Sequence, residues 1–240
     1  MAVAFDAKMT GGNGTGGLDQ TVSGATSISS TGMTVGASAS LLLGLAVWQD
    51  NLSTDITSRS MTWDSVSMSE EVTILQTTGT NNLRVSIFKL LAPNAGNKTL
   101  AGAWTNTADC YVSAISYTGT DIVTGIYVAH SVTASGTTQI TVTSDASGAT
   151  VAVFGVNGNA PTTNFNTIFS DAPFNPGGGG SYQIAGTSNI HTFTGGGGTI
   201  QALAGVHVIP LGGLKFDHGT IYSNFKTSHR PRPFGPGFGR

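Results

Sequence analysis

Gly12, Gly14 and Gly17 satisfy the pattern G-x-G-x-x-G behind the short apolar run Ala2–Phe5, an arrangement that can hold a dinucleotide. Such a site needs a helix opening at the third glycine, so that its unpaired amides point at the pyrophosphate. Leu18-Asp-Gln-Thr-Val-Ser-Gly24 has no helical stripe, and the glycines read instead as a loop. Neither tetraglycine, Gly177–Gly180 or Gly195–Gly198, is followed by Lys-Ser or Lys-Thr, so there is no phosphate-binding loop of that kind. Glu70 and Glu71 are the only glutamates. Glycoside hydrolysis requires two carboxyls facing one cleft, whereas adjacent residues of a strand point to opposite faces. Serine, histidine and aspartate are all present, but without the G-x-S-x-G elbow that presents a nucleophilic serine.

His191 and His207 lie on neighbouring candidate strands with Asp217-His218 beyond, yet the spacing matches no zinc or calcium motif. These histidines, with His130 and His229, read as solvated or hydrogen-bonded side chains. Cys110 stands alone, which excludes an intrachain disulfide. Its alternating run Cys110-Tyr-Val-Ser-Ala-Ile-Ser-Tyr117, with no histidine near in sequence, suits an inert core thiol. Trp48, Trp63 and Trp104 could form a platform on which sugar rings stack. Each also ends a candidate strand beside apolar neighbours, where packing in a core or at its rim suits an indole. No catalytic residue, cofactor-binding residue or metal ligand emerges, and the expectation is a protein that is not an enzyme and carries no cofactor.

The elements that must position these residues are strands. Period-two and short apolar runs dominate, at Gln20–Ser27, Leu41–Trp48, Ser60–Trp63, Val72–Gln76, Leu83–Leu91, Lys98–Trp104, Tyr111–Tyr117, Gly125–Val132, Gln139–Thr143, Thr150–Val156 and Thr199–Ile209. In Leu83–Ile87, Leu83, Val85 and Ile87 share one face while Arg84 and Ser86 take the other. Leu41-Leu-Leu-Gly-Leu-Ala-Val-Trp48 is apolar throughout, as a strand buried on both sides would be. Short strands spaced at about 8–12 residues predict an all-β antiparallel sandwich of jelly-roll type. Residues 1–214 form the predicted β-sandwich domain, with 157–198 as an irregular glycine-rich insertion. Within that insertion the tetraglycines bracket a hairpin from Ser181 to Thr194.

Charge is nearly absent. Lys, Arg, Asp and Glu make up 9% of the chain, against about 25% in an ordinary soluble domain. Thr (34), Ser (24) and Asn (14) must cover the surface, together with 34 Gly. Such a surface suits packing against copies of itself or against other protein. No apolar run approaches the length of a membrane-spanning helix. The N-terminal Met1-Ala-Val-Ala-Phe-Asp-Ala-Lys8 lacks the basic and apolar regions of a secretory leader, so export by the general route is not expected.

The net charge of −2 is uneven: residues 1–214 carry five basic and eleven acidic groups, and 215–240 carry five basic groups against Asp217. In His229-Arg-Pro-Arg-Pro-Phe-Gly-Pro-Gly-Phe-Gly-Arg240 the prolines remove amide donors and favour an extended arm. Arg230, Arg232 and Arg240 offer forks for carboxylates, while Phe234 and Phe238 offer apolar anchors. Residues 215–240 are therefore expected to be an assembly arm that docks on a neighbour. Five basic groups, and phenylalanines alternating with glycine, argue against nucleic acid as its target.

Ala4-Phe-Asp-Ala7, Leu41–Val47, Met61-Thr-Trp-Asp-Ser-Val-Ser-Met68, Ile87-Phe-Lys-Leu-Leu-Ala-Pro-Asn-Ala-Gly96 and Ser113-Ala-Ile-Ser-Tyr-Thr-Gly-Thr-Asp121 follow one another in a familiar order. Over roughly residues 2–125 the chain resembles a β-sandwich domain found in phage virion proteins and bacterial surface proteins. That family has a strand pair joined by an aromatic-Asn/Asp-Gly turn, then a strand ending in Leu-Ala-Pro-x-Ala-Gly, then an aromatic-x-Gly-x-Asp turn. Here Asp64-Ser65 stands where Asn-Gly or Asp-Gly is usual. The resemblance implies a structural or adhesive module and supplies no catalytic residue.

Together these features predict a virion structural protein of a phage, on the head surface or in a tail or fibre. It would be made in the host cytoplasm and assemble with other virion proteins and with itself, probing neither membrane nor nucleic acid. The alternative is a carbohydrate-binding adhesin that holds a host-surface glycan on the three tryptophans.

Overall fold

The computed structural model describes residues 3–10, 20–50, 56–78, 81–120, 126–133, 139–143, 148–158, 162–163, 167–170, 179–185, 190–194 and 198–208. Among them every regular element is a strand. The first half contains β1 (Ala4–Lys8), β2 (Gln20–Ser30), β3 (Thr34–Val35), β4 (Leu41–Asp50), β5 (Ser60–Trp63) and β6 (Val66–Ser67). It continues with β7 (Ser69–Thr78), β8 (Asn81–Leu91), β9 (Gly96–Asn97) and β10 (Leu100–Thr118). The second half contains β11 (Ile126–Thr133), β12 (Gln139–Thr143), β13 (Ala149–Gly158), β14 (Thr162–Thr163) and β15 (Thr167–Ser170). It ends with β16 (Gly179–Ala185), β17 (Ile190–Thr194) and β18 (Gly198–Val208).

The largest sheet runs β6-β5-β10-β4-β8-β7, with β1 and β2 also paired to β10, and it curls into a half-barrel. The curl is built on β10. Its first residues pair with β5 on one side and β2 on the other, and its last residues pair with β4 and β1. Between these stretches the register to β2 shifts at Ala103/Ala108 and again at Ala108/Cys110, and Asn106 takes φ 64°. Irregularities of this kind bend a strand and sharpen its twist. The two strands expected at Lys98–Trp104 and Tyr111–Tyr117 are thus one bent strand of 19 residues.

A second antiparallel sheet, β11-β18-β13-β16-β15, lies against one face of the first. Leu41, Leu43, Leu45 and Val47 of β4, with Leu83, Val85 and Ile87 of β8, meet Val151 and Val153 of β13 and Val206 and Val208 of β18 in one core. The other face of β4 contributes Leu42, Ala46 and Trp48 to a second core inside the curl, with Met61, Trp63, Phe88, Trp104 and Val112. β4 is therefore buried on both sides, as its unbroken apolar run requires. At Gly155 of β13 the two sheets approach so closely that a Cβ would lie 2.9 Å from Val85 Cγ2.

Residues 157–198 are not irregular throughout, since β14, β15, β16 and β17 form there. The hairpin expected from Ser181 to Thr194 does not form either. β16 pairs with β13 and β15, whereas β17 pairs with β12 and β14 in a separate three-stranded sheet. Each of the two strands has a ladder partner on both sides, β13 and β15 for β16 and β12 and β14 for β17, which leaves neither an edge to offer the other. The arm at 215–240, including Arg230, Arg232, Phe234, Phe238 and Arg240, lies outside the described residues, as does the loop of Gly12, Gly14 and Gly17.

Candidate functional site: internal polar networks and open sheet edges

The densest polar cluster sits where β7 and β8 meet the start of β5. Arg59 grips Glu70 with two parallel bonds, Nε to Oε1 at 2.8 Å and Nη2 to Oε2 at 2.9 Å. The third branch of the same guanidinium donates to the carbonyl of Ile56 at 2.6 Å. Glu70 Oε1 also accepts from Ser86 Oγ at 2.6 Å, and Thr73 Oγ1 receives Arg84 Nη1 at 2.9 Å. Arg84 and Ser86 are buried. Polar alternation on β8 reads as a solvent face, but the curl closes over it, and the network satisfies the groups it covers. Glu71 turns the other way, to Lys89 Nζ at 2.9 Å. The two glutamates have separate partners and share no cleft.

The motifs that carry the resemblance meet at one end of the large sheet. Asp64 and Ser65 both take positive φ, 50° and 65°, and close the hairpin between β5 and β6 as a type I′ turn. The Trp63 indole N–H donates to the carbonyl of Asn94 at 2.8 Å, and the Asn94 amide donates to Asp64 at 3.0 Å. Lys98 Nζ reaches the same carboxylate at 3.2 Å. The bonds from Asn94 and then Lys98 hold the Asp64 carboxyl below its usual range. The Trp-Asp-Ser turn and the Leu-Ala-Pro-Asn-Ala-Gly segment are thus two halves of one clasp. Ser40 makes a second clasp. It accepts the amide of Thr120 on Oγ at 3.0 Å, and its carbonyl accepts the amide of Ala92 at 2.9 Å. Asp6 makes a third, accepting Ser116 Oγ at 2.6 Å and the Gly36 amide at 2.9 Å.

These assignments are structural, and so are those of the remaining singled-out residues. Trp48, Trp63 and Trp104 are 1%, 0% and 5% exposed. Trp48 stacks edge-on with Phe88 and Trp104, and the Trp104 N–H donates to the carbonyl of Ala25 at 2.9 Å. A sugar platform needs an exposed ring face, and none of the three indoles offers one. Cys110 is fully buried, and burial pushes its thiol well above the ordinary range. His191 and His207 are on β17 and β18, which belong to different sheets rather than neighbouring positions in one. Among the described residues no three His, Cys, Asp or Glu side chains are grouped to hold a metal ion. No helix among them is long and apolar enough to cross a membrane.

Among the described residues, what the arrangement leaves open is backbone. The large sheet ends on one side in the two-residue β6 and on the other in β7, a strand of 10 residues. The second sheet ends in β15, of 4 residues, and β11, of 8. β7 lies against β18 and β11, β8 against β18 and β13, and β4 against β13 and β16, so β7 and β11 flank the same side of the two layers. An open edge presents unpaired N–H and C=O groups that bind another strand. Sequence reading found the strand at Val72–Gln76 but not its edge position, which nothing within the stretch itself marks.

Comparison with protein-family models, curated proteins and solved structures finds no match to this chain.

Proposed function

We propose that this protein is a structural subunit that acts by assembling with other proteins and with copies of itself. Within that class we place it as a virion structural protein of a phage, on the head surface or in a tail or fibre. The observation that carries the assembly reading is the fate of the charged side chains. Arg59, Glu70, Glu71 and Lys89, Asp64 and Lys98, and Asp6, Arg84 and Asp109 are all engaged within the chain. Among the described residues the exposed positions are mostly Ser, Thr, Asn and Ala, and the charges that reach the surface there are already paired. Groups of that kind enter close protein contact without the cost of desolvating an ion.

The phage placement rests on the resemblance of residues 2–125, and its motifs serve here as turn clasps rather than as a binding site. Two stacked antiparallel sheets support reading the body as a β-sandwich of jelly-roll type. The adhesin alternative loses its carrier with the burial of the three tryptophans. Quantitative mass spectrometry of density-purified phage particles tests the proposal. Stoichiometric copies of the protein are expected in the particles. Its absence from them, combined with specific glycan binding by the isolated protein, would overturn the reading.

A further inference from the structure

We propose that two copies of this chain join edge to edge through β7 and β11, so that both sheets continue across a two-fold axis. This deepens the assembly reading and rests on it for the choice of a second copy as partner. Natural proteins blunt long edges with charge, proline, bulges or shortness, and three other edges here show such devices. β6 and β15 are short, and β2 is broken by a bulge at Gly24, φ 56°, whose amide is tied to Asp109 at 2.9 Å. β7 has its irregularity at Glu70/Val72, and from Val72 to Thr78 it pairs one-to-one with β8. That stretch, Val-Thr-Ile-Leu-Gln-Thr-Thr, has no charge and no proline. It fits the composition of segments that add strands readily. β11 pairs with β18 without a register shift, and Ile126–Thr133 contains no Asp, Glu, Lys or Arg.

Charge and area both favour a second copy as the occupant. A two-fold axis sets each edge against itself, and like charges placed opposite one another on paired strands repel. An uncharged edge is therefore the kind that can pair with its own copy. The uncharged stretch of β7 has 7 residues and β11 has 8, which at about 3.3 Å each span roughly 25 Å, in two layers stacked about 10 Å apart. A side face of roughly 25 by 20 Å buries about 500 Å² per copy, or about 1,000 Å² in all, the size at which a specific interface begins.

The test uses the full chain in sedimentation velocity with backbone hydrogen exchange. The native protein is expected to form dimers or larger species in which those amides of Val72–Thr78 that point away from β8 are protected, and to lose that protection on dilution. Thr77 is exposed on this edge, so Thr77→Lys should weaken association at least about tenfold by placing in the pairing edge the charge with which natural edges block strand addition. Thr77→Val, which adds no charge, should leave association intact, as should Ser67→Lys on β6. Circular dichroism and thermal unfolding establish that each variant folds. Association unchanged by Thr77→Lys overturns the edge assignment and leaves the assembly reading standing. A native chain that stays monomeric at every concentration yet is present in purified particles also overturns edge pairing alone. Monomeric behaviour together with absence from particles overturns both.

Discussion

Replacing Gly155 by alanine measures how closely β13 is stacked on β8. A Cβ at this position would lie 2.9 Å from Val85 Cγ2 and 3.0 Å from both Cγ and Cδ2 of Leu83. Ordinary carbon–carbon contact is about 3.5–4.0 Å, so the sheets must part by roughly 0.5–1 Å or two side chains must leave their rotamers. Val85 and Leu83 are 0% and 1% exposed, and Val85 is branched at Cβ, so neither has free space to turn into. Overpacking of this kind costs about 1–3 kcal/mol. Restricting the unfolded chain at a former glycine recovers about 0.4–1 kcal/mol. The net expectation is a loss of about 0.5–2 kcal/mol. Equilibrium urea unfolding, followed through the buried tryptophans, should show the midpoint falling. Val85→Ala removes the nearest of the three obstructing atoms, so Gly155→Ala made in that background should cost less than in the native chain. The two changes should be coupled by about 1 kcal/mol or more. A stabilising Gly155→Ala in the native background, or strict additivity with Val85→Ala, would refute the stacked arrangement of the two sheets.

Three further outcomes follow from local geometry. Ser65→Gly should raise stability by about 0.5–1 kcal/mol, because Ser65 holds φ 65° in a turn that favours glycine there; a loss in urea or thermal unfolding would contradict the type I′ assignment. Tyr117→Phe should stabilise by about 1 kcal/mol, since the buried Tyr117 hydroxyl has no hydrogen-bond partner among the described residues; destabilisation would show that the hydroxyl is bonded in solution. Stability should hold to about pH 9 and fall above it. Burial, aided by Asp109 and Cys110, pushes Tyr111 up to about 12 from 10.0, and burial also raises Tyr117 and Cys110. Between these values the unfolded chain releases protons that the folded chain keeps, so each such group costs up to about 1.4 kcal/mol per pH unit. Urea midpoints measured from pH 8 to 11 check this, and a flat profile would contradict it.

The strand content was legible in the sequence wherever burial follows the period of two. Leu43, Val85 and Ile87 are fully buried, and the apolar run of β4 feeds a core on each face. Three features resisted the same reading for physical reasons. Thr105-Asn-Thr-Ala-Asp109 looks like a turn, yet the chain passes through it as a bend in one strand because β2 supplies ladder partners on both sides of the shift. Arg84 and Ser86 look solvent-facing, yet the curl of the sheet covers them, and curvature is a property of the whole sheet rather than of one strand's pattern. The tryptophans fit either a platform or a core by composition, and only the placing of Phe88, Ala25 and Asn94 around them decides. Edge position is likewise unreadable from β7 alone, because it depends on which strands pair elsewhere.

Sedimentation of the full chain at low salt and at about 1 M salt asks whether this protein assembles through uncharged surface. Screening at about 1 M shortens the range of charge interactions to about 3 Å, whereas amide and apolar contacts persist. The same assembled species should appear at both salt concentrations. Dissociation at high salt would show that the acidic body and the basic residues 215–240 hold copies together by charge, and a monomer under both conditions would contradict self-assembly altogether.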